Sequence, residues 1–261
     1  MHRTRNVTRP AAPTLVAVAH GSRDPQALRT VLELLDLVRE LRPGLDVRPG
    51  HIELNEPLLP ATLAGIGTGD AVLVPLLLGR GHHVRHDLPH AAAEAGGLRT
   101  RIAAPLGPHP LLIETLYERL VEAGWRAEDG ADRGAAVILA AAGSRDPDSV
   151  VDARRSARML SDRLGGVPVL PAYASAATPT VPAALRALAA RGRHRVAVAS
   201  YFTAPGRFAT AAAAAAPGVA AAPLGAHPAM ARLLLHRYDQ ARADAGPPRG
   251  ALTRPHLLAP A

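Results

Sequence analysis

Short apolar runs alternate with stretches of helical periodicity along most of the chain. Residues 15–19 read as a short buried strand. Asp24 then offers an N-cap with Pro25 at the first helical position. Leu28, Val31, Leu32, Leu35, Val38 and Leu41 follow at helical spacing until Pro43-Gly44. Strands are expected at 46–54, 70–78 and 101–106, and helices at 57–66, 86–95 and 110–123. The run from Val72 to Leu78 is apolar throughout, which suits a strand covered on both faces. Four strand–helix alternations predict a parallel sheet with helices on both sides.

The pattern then restarts. After a polar, Gly-containing stretch, residues 135–142 form a new apolar run, and GSRDP at 143–147 repeats GSRDP at 21–25. The offset of 122 residues holds without gaps to Leu63 and Leu185. Farther on, AAPLGPHP at 103–110 matches AAPLGAHP at 221–228. The chain is therefore an internal duplication of a unit of roughly 120 residues. The expected fold is α/β, with two tandem flavodoxin-like lobes. Each lobe is a four-stranded parallel sheet with helices on both faces. The expected segments are a disordered tail 1–13, a first lobe 14–124, a linker 125–134, a degenerate second lobe 135–242 and a disordered tail 243–261.

Composition narrows the chemistry. There is no Cys, so disulfides, thiolate metal sites and thiol nucleophiles are excluded. Every basic residue other than His is Arg, and the formal net charge is +8. The Arg residues are scattered and aromatics make up only 3%, so nucleic acid is not an expected partner. The first residues lack an apolar signal-peptide core and no apolar run reaches membrane-spanning length. A soluble, cytoplasmic chain is expected. Without Lys there is no P-loop, so no nucleotide is implied. Ser22 follows a strand but lacks the GxSxG context of a serine hydrolase.

The duplication serves as an internal control on function. GSRDP is kept in both halves, so its first task is the turn and helix start. His109 and His227 are also kept and read first as structural. His20 instead faces Ala142, Glu53 faces Ser175, and His83 faces Phe208, with His82 opposite Arg207. In a flavodoxin-like order the first strand lies between the second and third, so His20, Glu53 and His83 would converge at the strand ends. Two imidazoles and a carboxylate suit a transiently held divalent metal. Three solvated loop histidines at 82, 83 and 86 remain the plain alternative.

AHGSRDP, HIELNEP and the GxHVxxDLP of residues 81–89 resemble the CbiX/SirB family of class II chelatases, over about residues 15–238. The resemblance implies insertion of a divalent metal, Fe²⁺ for siroheme or Co²⁺ for cobalamin, with Ni²⁺ also suited, into the tetrapyrrole sirohydrochlorin. It places the metal on His20, Glu53 and His83, with His20 and His83 as the catalytic imidazoles. Ser22, Arg23, Arg80, Arg85 and Arg207 are candidates for the substrate carboxylates, since Arg matches them bidentately. Each Arg also reads as a solubilising surface residue. Phe208 and Tyr201 are either core filling or a wall for the macrocycle. Covalent fusion of the two units implies a monomer. A non-catalytic metal or tetrapyrrole carrier on the same fold is the alternative.

Overall fold

The computed structural model describes residues 12–244. The expected tails 1–13 and 243–261 fall outside that range except at their inner edges. There Pro13 accepts a hydrogen bond from the Tyr238 hydroxyl at 2.6 Å, and Ala243 ends the last helix, so both belong to the fold.

β1 (Thr14–Ala19) sends Leu15, Ala17 and Ala19 to one side of its sheet and Val16 and Val18 to the other, all buried. This period of two supplies both faces of a central strand. β2 (Val47–His51), β3 (Gly69–Pro75) and β4 (Leu98–Ile102) complete a parallel sheet in the order β2-β1-β3-β4. The expected strand order is thus met. β4 lies earlier than the apolar pattern suggested. Arg99 and Arg101 give it one polar face, while Leu98 and Ile102 on the other face pack into the outer core.

The second half repeats the plan with β5 (Ala135–Ala141), β6 (Val169–Tyr173) and β7 (Arg195–Tyr201), in the order β6-β5-β7. The expected fourth strand is corrected here: its place holds only an isolated bridge between Val198 and Ala220. In the duplication Ala216-Pro217-Gly218 stands where the first half has Leu98-Arg99-Thr100. Pro217 has no N–H to donate and Gly218 has no side chain to pack, so the strand shrinks to one contact.

Helices α1 (Pro25–Leu41), α2 (Leu59–Ile66) and α3 (Leu88–Glu94) belong to the first sheet. α6 (Pro147–Arg163), α7 (Val181–Ala189) and α8 (Arg207–Ala214) are their counterparts on the second. The last helix of each half crosses over. α4 (Pro110–Glu122) packs on β7, while α9 (Pro228–Ala243) packs on β3, β4 and α1. One hydrophobic core therefore runs through both halves, from Leu15 and Leu35 through Leu116 to Leu139 and Tyr238. Smaller cores lie outside each sheet. Ion pairs fasten the crossing. Arg42 grips Asp239 with two 2.7 Å bonds, and Arg163 of α6 binds Glu114 of α4. The segment read as a linker carries a short helix, α5 (Ala127–Ala131).

The kept motifs are structural. Asp24 accepts from the Gln26 amide and Asp146 from the Asp148 amide, each at 2.9 Å. His109 and His227 cap α4 and α9 the same way through Nδ1. Gly21 has φ of +105°, and a Cβ there would lie 1.8 Å from the Glu53 carbonyl oxygen. Gly143 repeats this against Ser175 at 1.9 Å. Only glycine fits where two chain segments approach so closely.

Candidate functional site

His20 follows β1 and Glu53 follows β2. The ladder between these strands runs past their ends: the Ile52 amide donates to Ala19 and the Glu53 amide donates to His20. That pairing sets the two side chains together, with Nδ1 of His20 3.4 Å from Oε1 of Glu53. The second half has the same backbone bonds, from Ala174 to Ala141 and from Ser175 to Ala142. Its scaffold survives, but Ala142 and Ser175 carry no imidazole or carboxylate.

His83 arrives from β3. Residues 76–82 lead out of the strand, and His83–Asp87 then form a π-helical turn that runs into α3. The expected loop holding His83 and His86 is corrected accordingly. Each side chain now has a fixed direction. The ring centres of His20 and His83 are 4.6 Å apart, with planes at 89°. Nδ1 of His83 lies 2.5 Å from Oδ2 of Asp87. An ionised carboxylate only accepts, so the proton of that contact resides on Nδ1. Both imidazoles thus turn Nδ1 to a carboxylate and keep Nε2 for another partner. Histidines that hold metals are oriented in this manner.

Asp87 was not singled out from the sequence. Its signal was the four-residue spacing from His83, which becomes visible only once the helical turn is known to start at His83.

His20 and His83 line a cleft of about 1080 Å³ between the two sheets. Leu76, Leu78, Tyr173, Phe202 and Phe208 give it apolar walls from both halves. Glu53 is not among the lining residues; it stands beside His20 and is half exposed. Among the described residues, no three His, Cys, Asp or Glu side chains form a ready-made metal cage.

The Arg candidates divide. Arg80 donates through its backbone N–H and through Nε and Nη2 to Asp152 of α6, at 2.7–3.0 Å. Burial would raise the Asp152 pKa, but the hydrogen bonds and charge of Arg80 hold it below the usual range. Arg85 pairs with Asp146 and Asp148 and does not line the cleft. These two guanidinium groups anchor the His83 segment to the second half. Arg23 and Arg207 line the cleft, are exposed, and have no carboxylate partner among the described residues. The Arg207 guanidinium lies 4.8 Å from the Phe208 ring centre. Ser22 also lines the cleft; its Oγ accepts from the Asp24 amide and its own amide donates to Asn55. Tyr201 is buried, its hydroxyl bound to Ser156 and to the Leu78 carbonyl.

Comparison with known proteins gives consistent results. Over 128 residues the chain is 31% identical to the chloroplastic sirohydrochlorin ferrochelatase of Arabidopsis thaliana, covering 46% of this chain and 57% of that protein. Over 111 residues it is 30% identical to a sirohydrochlorin cobaltochelatase of Sulfurisphaera tokodaii, covering 41% of this chain and 91% of that one. A solved structure of SirB from Bacillus subtilis with Fe³⁺ superposes with a TM-score of 0.72 at 22% identity, over 90% of this chain and 97% of that one, which shows the shared fold. The family model for CbiX matches residues 14–123 and again residues 136–241. The chain belongs to the CbiX family.

Proposed function

We propose that the protein is a sirohydrochlorin chelatase, inserting Fe²⁺ or Co²⁺ into the macrocycle without a nucleotide. The observation that carries this reading is the His20–His83 pair at the cleft wall, each ring backed by a carboxylate. The metal is a substrate. His20 and His83 take it through Nε2, and Glu53, across the His20 ring on its Nδ1 side, orients that imidazole and adds negative charge behind it. The macrocycle loses two pyrrole N–H protons as it accepts a divalent ion. His20 and His83, once they have released the metal, are two bases at the right place to take one proton each. Two neutral nitrogens hold a divalent ion loosely enough to exchange for pyrrole nitrogens, which a closed four-ligand cage would not allow.

The substrate's carboxylates fit Arg23 and Arg207 at the open edges of the cleft, with the Ser22 hydroxyl as a further donor. Arg80 and Arg85 serve the reaction by holding the His83 segment. The first half, 14–124, supplies the metal chemistry. The second, 135–242, supplies a wall through Phe208 and Tyr173. The ligand chemistry does not select iron over cobalt, since both take imidazole nitrogen. The fused halves make a monomer of 27.1 kDa by light scattering the expected state. Cytoplasm is the expected location. Among the described residues no helix is long and apolar enough to cross a membrane.

The test is multiple-turnover metallation of sirohydrochlorin with Fe²⁺ or Co²⁺ under anaerobic conditions, followed by absorbance. Product beyond one equivalent per chain is expected, whereas a carrier would stop at one. His20→Ala and His83→Ala should each reduce the rate by about 10²-fold or more while circular dichroism stays unchanged. Near-normal rates in either variant would remove that residue from the site.

A further inference from the structure

His82, His86 and His90 recur every four residues along the π-helical turn and α3, and all three are exposed. The ring centres of His82 and His86 are 4.6 Å apart, with planes at 37°. Two imidazoles on adjacent positions of one ion, with metal–nitrogen bonds of about 2 Å, place their ring centres roughly 4–5 Å apart. The outer pair therefore has the same separation as His20 and His83. His82 and His83 lie 6.2 Å apart, centre to centre, and join the two pairs. His82 lines the cleft with His83 and His20, and His86 stands outside it, so the rings run inward as His86, His82, His83, His20, at intervals of 4.6, 6.2 and 4.6 Å. Farther along α3, His90 has its Nε2 3.4 Å from Glu94.

The second half separates this row from an ordinary polar helix face. The alignment that sets His82 opposite Arg207 continues to Ala211 opposite His86 and Ala215 opposite His90. The whole row, like the inner pair, occurs only in the half that carries the site. A merely solvated face has no reason to follow the metal-binding side chains in this way.

We infer that His82 and His86 form a separate capture site for a divalent cation of the iron–cobalt–nickel class. The ion loses bound water to these two imidazoles and then passes to His83 and His20, one ring step inward. No electron or proton need move in that transfer. Two exposed ligands make a weak, fast-exchanging site, which suits capture rather than storage. The direction of transfer rests on the reading of His20 and His83 as the insertion site; the capture site itself does not.

Co²⁺ binding to the untagged full-length chain, measured by calorimetry and visible absorbance without tetrapyrrole, tests it. The H20A/H83A variant should still bind Co²⁺ weakly, and adding H86A should abolish that binding. Loss of all binding in H20A/H83A, or equal binding with and without His86, overturns the proposal. If H20A/H83A fails to fold, the same reading comes from H86Q in the otherwise unchanged chain. There the weaker of two Co²⁺ equivalents should vanish, and its persistence overturns the proposal. Metallation adds a second readout: H86Q should slow insertion at limiting metal and leave the rate at saturating metal unchanged. A chain that binds Co²⁺ as described but never metallates sirohydrochlorin would refute the chelatase reading alone.

Discussion

Asp87 fixes His83: its Oδ2 lies 2.5 Å from Nδ1 across one helical turn. The carboxylate sets which nitrogen carries the proton and which way the ring faces. Asp87→Asn keeps the size and loses the charge. It should weaken metal affinity or activity about 10–100-fold with the fold intact. Asp87→Glu should recover part of the loss. Initial rates against Co²⁺ concentration give the split between KM and kcat; unchanged kinetics in Asp87→Asn would show that packing alone orients the ring.

The duplication supplies a matched pair of glycine variants. Gly21→Ala and Gly143→Ala meet the same obstruction, a carbonyl oxygen at 1.8 and 1.9 Å from the new Cβ. Each should lower the melting temperature by a similar amount. Only Gly21→Ala also shifts the carbonyl of Glu53, and with it the His20–Glu53 pairing. At a temperature where both variants are folded, Gly21→Ala should therefore lose far more insertion activity. Equal activity in the two would separate the turn from the site.

Asp152 should control acid stability. Its folded pKa is depressed by Arg80, despite the burial that opposes this. A depressed carboxyl contributes stability above its unfolded value of about 3.9, and that contribution is lost as pH falls through the lower folded value. Asp152→Asn should lower the melting temperature at pH 7 and flatten its decline below about pH 4. It should also loosen the His83 segment, read as a higher KM for metal.

His109 acts in a different window. Burial, with Arg237 and His236 of α9 beside it, lowers its pKa from 6.5 to about 4. Between those values the unfolded chain binds a proton that the folded chain does not. Stability present above pH 6.5 is therefore lost as pH falls toward 4. His109→Asn keeps an oxygen to accept from the Leu111 amide and removes the titration. Melting curves between those pH values should be flatter for the variant, and a parallel decline would assign the loss to other groups.

Much of this was legible in the sequence because periodicity and self-comparison report on local needs. Leu15–Ala19 and the GSRDP turn could be placed because strand burial and helix capping leave marks on adjacent residues. The pairing of His20 with Glu53 followed from strand order. What stayed hidden depends on partners far along the chain. Arg80 reads as a free cation until Asp152, on a helix of the other half, is brought to it. The edge strand Leu98–Ile102 is masked because Arg99 and Arg101 interrupt its apolar residues. Asp87 was missed because a π-helical turn has no periodic signature over five residues.

Because α4 lies on the second sheet and α9 on the first, the halves are joined by the exchange of a helix as well as by residues 125–134. A chain nicked within that connector would hold together as a noncovalent pair of fragments. Separately produced pieces should find each other and rebuild the cleft, since each leaves bare the apolar surface that the other's final helix covers. The peptide link then matters chiefly for concentration and partner choice. It guarantees that the half bearing His20 always meets the half bearing Phe208, and never another copy of itself.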